Sequence, residues 1–146
     1  MLVPFGLGVL YLMRMGRHAD QFWATVLPSA YLCYLMLPFI QTLPPRMLEG
    51  ELTPWVARGK LRRLNLWILR HASIQGNTFP SAHVAATVAA SLALLRLVPW
   101  AGAVFLGMSI SIAAGAVGGR YHYATDALLG ATLAIAVLLL EACFWR

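Results

Sequence analysis

His122 and Asp126 stand four positions apart in a chain of 146 residues that holds 4 histidines and 5 carboxylate side chains. Four-residue spacing puts two side chains on one face of a helix. A carboxylate so placed can accept the Nδ1 proton, fix the imidazole tautomer and leave Nε2 as a nucleophile. This is the orienting logic of a catalytic triad, directed here at phosphorus. A third group, His83, follows Pro80-Ser81 at the expected start of another helix. Unpaired amides and the positive end of the helix dipole attract phosphate oxygens at such a start. His83 could protonate a departing alkoxide and later take a proton from water. The chemistry these residues would do is phosphoryl transfer.

Each residue also has a plainer explanation. A histidine at a membrane boundary can be only an interfacial polar group, and Pro-Ser before a helix can be only a cap. Asp126 can cap the last helix rather than orient His122. Against this, ionisable groups near a bilayer are expensive and tend to mark function. Three of them converging on one face, with bases beside them, read as a site. The same trio could hold a divalent ion, but the basic surroundings disfavour a cation. Neither a metal nor a cofactor is expected.

The elements that must position these residues follow from composition. The chain is 60% hydrophobic and 11% charged, with a mean hydropathy of +0.72. A soluble domain usually carries about 25% charged residues. The expectation is an all-α, multi-pass transmembrane bundle of about 4–5 spans, in a single membrane domain over residues 1–146. Residues 1–43 hold the N-terminal spans, 44–80 a polar loop, and 81–146 a three-helix catalytic core. The 11 Lys/Arg against 5 Asp/Glu are confined to loops and helix ends. That pattern argues against nucleic acid and for membrane lipids or a lipid phosphate as partner. Cys33 and Cys143 fall in apolar runs and are expected to pack as small hydrophobes.

The apolar runs are Leu2 to Met13, Phe22 to Leu43, His83 to Val98, Ala101 to Val117 and Asp126 to Trp145. The first lacks the basic start and small-residue cleavage site of a signal peptide and reads as a short or truncated span. Ala85, Ala86, Ala89 and Ala90, with Gly102, Gly107 and Gly115, favour close helix contact. Within the polar loop, Pro54 to His71 reads as an amphipathic interfacial helix. Leu61, Leu64 and Ile68 recur at helical spacing between bases, and Trp55 and Trp67 suit a membrane boundary. If the loop lies on one membrane face, the His83 run leaves that face and the Ala101 run returns to it. His83 and His122 then share one surface although 39 positions separate them.

At these residues the chain resembles the type 2 phosphatidic acid phosphatase superfamily, the membrane lipid phosphatases related to vanadium haloperoxidases. The resemblance rests on Phe79-Pro80-Ser81-Ala82-His83 and on Gly119-Arg120-Tyr121-His122-Tyr123-Ala124-Thr125-Asp126, and it covers roughly residues 40 to 146. The family pattern joins a P-S-x-H block to an H-x-x-x-D block about 40 residues later. The resemblance implies an all-α bundle and a metal-independent reaction through a phosphohistidine. It would make His122 the nucleophile, Asp126 its orienting partner, His83 the general acid and base, and Ser81 with its neighbouring amides a phosphate cradle.

Two departures shape the remaining assignments. The common opening K-x6-R-P is missing, and Ala116 stands six positions before His122 where the family has a base. Pro44-Pro45-Arg46 is instead similar to the inositolphosphotransferase-like subgroup. Arg46 and Arg120 are therefore the candidate phosphate clamp, with Lys60 a third, because a guanidinium fork suits the equatorial oxygens of a transferring phosphoryl group. The function expected is hydrolysis of a lipid phosphomonoester or pyrophosphate. Alternatives are a lipid phosphotransferase, in which a hydroxyl replaces water, and a truncated homologue without activity. Arg46, Arg58, Lys60, Arg62, Arg63 and Arg70 in the loop outnumber Arg14 and Arg17 on the other side, which would put the loop in the cytoplasm. The resemblance implies the opposite: a plasma (inner) membrane protein with the site on the extracytoplasmic face.

Overall fold

Prolines and small residues decide where the helices of this chain begin, end and touch. The computed structural model describes residues 2–40, 42–45 and 79–144. Among them are five α-helices and no strand: α1 (Val3–Leu12), α2 (Ala19–Met36), α3 (Ala82–Leu97), α4 (Pro99–Gly118) and α5 (Ala124–Phe144). A short 3-10 turn, Gly16–His18, joins the first two. The expected interfacial helix at residues 54–71 lies outside the described residues, as do Arg46 and Lys60.

Two boundaries differ from expectation, both at prolines. The second apolar run was expected to stay helical to Leu43, but α2 ends at Met36. Pro38 has no N–H to offer the Tyr34 carbonyl. Leu37 takes that carbonyl instead at 3.1 Å, and Phe39 bonds Met36 at 3.1 Å, so the ladder tightens into turns. Conversely, Pro99 does not precede α4 but opens it, since a first helical position needs no donor. The α3–α4 hairpin turns on Val98 alone (φ −137, ψ 82). A Cβ on Gly102 would sit 2.3 Å from the Leu95 backbone. No other residue type permits so tight a return.

α3 is the hub and touches all four other helices. Ala85, Ala89, Ala90 and Ala93 are buried, so neighbouring backbones come close. Leu10 of α1, Phe22 of α2 and Leu94 of α3 anchor the larger core, while Ser91 and Ser109 share a 2.9 Å hydrogen bond between α3 and α4. Cys33 packs on Ala82 and Ala85 near the start of α3. Cys143, expected to pack likewise, is exposed on the last turns of α5.

Two of these helices are long and apolar enough to cross a membrane: Pro99–Gly118, with hydropathy 1.8, and Ala124–Cys143, with hydropathy 1.9. Only 22% and 28% of their spanning windows are buried, so Val104, Met108, Ile110, Leu128, Leu139 and Leu140 face outward. An apolar surface of that extent is stable in acyl chains and a liability in water. α1 and α3 are shorter apolar helices. α2 carries Asp20, Gln21 and Pro28 and is less apolar.

Candidate active site

Ser81 occupies the N-cap position of α3, with extended backbone (φ −69, ψ 103), yet its hydroxyl makes no capping bond. The residue is fully buried, and Ser81 Oγ has no hydrogen-bond partner among the described residues. Its main chain is fully engaged. The Ser81 N–H donates to the Asp126 carbonyl at 3.0 Å, and the Ser81 carbonyl accepts from Ala85 at 3.0 Å. The first-turn amides of Ala82, His83 and Val84 have no intrahelical acceptor, as at any helix start. His83 is exposed while Ala82, Val84 and Ala85 around it are buried. A buried hydroxyl, a first turn of amides and an accessible imidazole thus gather at one helix end.

The second string arrives through the end of α4. Tyr121 N–H reaches the Ala116 carbonyl at 2.9 Å and Arg120 N–H reaches Val117 at 3.0 Å. These are the paired bonds of a Schellman ending, in which the donor of the shorter-range bond is usually glycine. Here it is Arg120, at φ 60. Two residues later the chain turns into α5. Ala127 N–H bonds the Tyr123 carbonyl at 3.3 Å, which makes Tyr123 the capping residue.

His122 therefore precedes α5 rather than riding on it, contrary to the expectation that the pair shares a helical face. The pairing survives because the turn folds back. Asp126 Oδ2 accepts the Tyr123 N–H at 3.1 Å and lies 3.5 Å from His122 Nδ1. The first contact is the carboxylate half of a capping box. The second is an ion-pair distance, longer than the 2.7–3.2 Å typical of N–H···O bonds. One oxygen thus makes the cap and also lies nearest the imidazole, so the two readings that the sequence left as alternatives are compatible in one geometry. The side chains are 12% and 2% exposed, so the carboxylate is enclosed and the imidazole retains a small opening. Thr125 Oγ1 lies 3.4 Å from the other oxygen, Oδ1.

The Ser81–Asp126 main-chain bond makes α3 and α5 begin at the same end of the bundle. Ser81, His122 and Asp126 are thereby brought together, with His83 on the adjoining turn and Arg120 two residues from His122. Gly130 permits this closeness, because a Cβ there would lie 2.6 Å from the Ser81 carbonyl oxygen. Sequence reasoning passed over Gly130; its position one turn beyond Asp126, on the same helical face, is the signal that could have found it. It also passed over Glu141, a lone carboxylate in an apolar run.

A family model described as the PAP2 superfamily matches residues 18–146. The chain has no significant match among curated proteins or solved structures.

Proposed function

The chain belongs to the PAP2 superfamily, and on that premise we propose that it is a multi-pass membrane phosphatase acting on a lipid phosphate through a phosphohistidine. The family match points to phosphatase-type chemistry on phosphate esters, and the two membrane-capable helices to membrane association. The observation that carries the finer reading is the 3.5 Å approach of Asp126 Oδ2 to His122 Nδ1, beside the start of α3.

In this reading the Nδ1 proton is held toward Asp126, and the Nε2 lone pair of His122 attacks phosphorus. The P–O ester bond breaks opposite the new P–N bond, and His83 protonates the leaving oxygen. His83, now neutral, takes a proton from water as its oxygen attacks the phosphohistidine. The P–N bond then breaks, and inorganic phosphate and free His122 result. Ser81 Oγ and the amides of Ala82, His83 and Val84 would hold the non-bridging oxygens. Arg120, Arg46 and Lys60 are the bases assigned to the developing charge. The chain would cross the bilayer 4–5 times and hold the site at the extracytoplasmic face of the plasma (inner) membrane.

The test is phosphate release from a panel of lipid phosphomonoesters and pyrophosphates, by purified protein in detergent with EDTA present. Release that His122→Ala abolishes without unfolding supports the proposal. Release that survives His122→Ala, or none across the panel, overturns it. Adding a lipid alcohol or inositol to the same assay and finding a new phosphodiester would reassign the acceptor from water to a hydroxyl.

A further inference from the structure

At the end of the bundle remote from Ser81, a cavity of about 110 Å³ is lined by Gln21, Thr25, Ala93, Arg96, Leu97 and Glu141. Arg96 is in the last turn of α3, Gln21 in the first turn of α2 and Glu141 in the last turn of α5. The three helices thus bring a cation, a carboxylate and an amide to the bundle edge. Trp100, at the start of α4 on this same side, is exposed, as aromatic residues at a membrane boundary are. The cavity is far larger than the roughly 10–15 Å³ that one water molecule needs.

The two charges of this pocket do not pair with each other. Arg96 donates to the Leu138 carbonyl at 3.2 Å, and the buried Thr25 hydroxyl donates to Glu141. No ion pair joins Arg96 to Glu141 among the described residues. A guanidinium has five N–H donors and a carboxylate about four acceptor positions, so each keeps capacity for a ligand. Opposite charges held apart on one pocket favour a molecule that is itself dipolar, because a ligand carrying both signs can engage both groups at once. A simple anion would be repelled by Glu141, and a simple cation by Arg96.

We infer that this pocket binds the headgroup of an aminophospholipid, with the phosphodiester on Arg96 and the primary ammonium on Glu141. The headgroup is neutral overall, sits at membrane-boundary depth, and carries N–H donors that a carboxylate can accept. A choline headgroup has the same charges but no N–H, so Glu141 discriminates between the two. The pocket lies at the opposite end from the candidate active site, and the inference stands whether or not that site is catalytic.

Delipidated full-length protein in detergent, titrated with phosphatidylethanolamine or phosphatidylcholine of identical acyl chains and followed by native mass spectrometry, tests this. The expected result is ethanolamine lipid bound about tenfold more tightly, the scale of one charge-assisted hydrogen bond. Glu141→Gln should bring the two lipids level, and Arg96→Gln should weaken both. Equal affinities in the unaltered protein, or an unchanged preference in Glu141→Gln, would overturn the inference. Arg96 is exposed, so its variant is the one expected to fold in any case; unchanged lipid affinity there is equally fatal. Displacement of the lipid by soluble glycerophosphoethanolamine, the same phosphodiester headgroup without acyl chains, would show that the pocket takes the free zwitterion, against the commitment to lipid.

Discussion

The Ser81 amide donates to the Asp126 carbonyl at 3.0 Å, which fastens the start of α3 to the start of α5 through the main chain. The fastening depends on Gly130, whose hydrogen faces the Ser81 carbonyl where a methyl group would lie 2.6 Å away. Gly130→Ala should therefore push α5 outward and separate Asp126 from the α3 turn. We expect a loss of about 1–3 kcal/mol from overpacking and a larger proportional fall in phosphate release. Gly107→Ala is the control, since a Cβ there meets nothing within 4 Å. Thermal melts and turnover of the pair decide it, and equal behaviour of both variants would refute the coupling.

Ser81→Ala separates a cap from a ligand group. An N-cap serine that does cap loses about 1 kcal/mol on truncation to alanine. The Ser81 hydroxyl makes no such bond and is buried without a partner among the described residues. Removing it should leave the melting temperature unchanged or slightly raised, because an unsatisfied buried polar group is lost. If the hydroxyl holds phosphate, kcat/KM falls about tenfold or more while the melt does not. A lowered melt with unaltered kinetics would return Ser81 to a structural role.

Asp126→Asn separates the cap from the orienting role proposed for the same oxygen. The asparagine carbonyl can still accept the Tyr123 N–H, so the α5 cap is preserved and the melt should hold. What is lost is the negative charge 3.5 Å from His122 Nδ1. Turnover should fall by about 10²–10⁴-fold, the range for disabling the partner of a catalytic histidine. Asp126→Ala should add a stability loss of about 1 kcal/mol from the missing cap. Turnover retained in Asp126→Asn would show that the carboxylate only caps.

How far the sequence could be read depended on the range of the forces involved. Apolar runs placed α1, α3, α4 and α5 to within a few residues, because burial and hydropathy are written into composition. The alternation of those runs also carried His83 and His122 to one end. It did not carry the backbone detail. Nothing in the spacing of His122 and Asp126 says that the helix starts only at Ala124, since that depends on the Schellman ending around Arg120. Nor does Pro38 announce, in a run as apolar as Phe22 to Leu43, that it rather than Pro28 ends the helix. Glu141 was legible in principle as a lone carboxylate in a lipid-like segment. Its partner Thr25 lies 116 positions away, and only the packing of α2 on α5 reveals it.

Arg120 holds a backbone conformation, φ 60, that glycine takes freely and other residues adopt at about 1–2 kcal/mol. Glycines stand directly before it at 118 and 119, so the position is one where a glycine would serve the turn. Arg14 takes the same conformation, φ 56, in the matching turn after α1 and away from the site, so the backbone alone assigns Arg120 no role and its side chain has to be tested directly. Comparing Arg120→Gly with Arg120→Ala isolates the backbone, because both lose the guanidinium. The glycine variant should be more stable than the alanine variant by about 1 kcal/mol, measured by chemical or thermal unfolding. Both should show the same loss of phosphate release, about tenfold or more for a charge-assisted contact to a phosphoryl oxygen. Arg120→Lys should recover part of it, since an ammonium keeps the charge but not the fork. If the glycine variant is both more stable and fully active, the side chain is not part of the phosphate clamp.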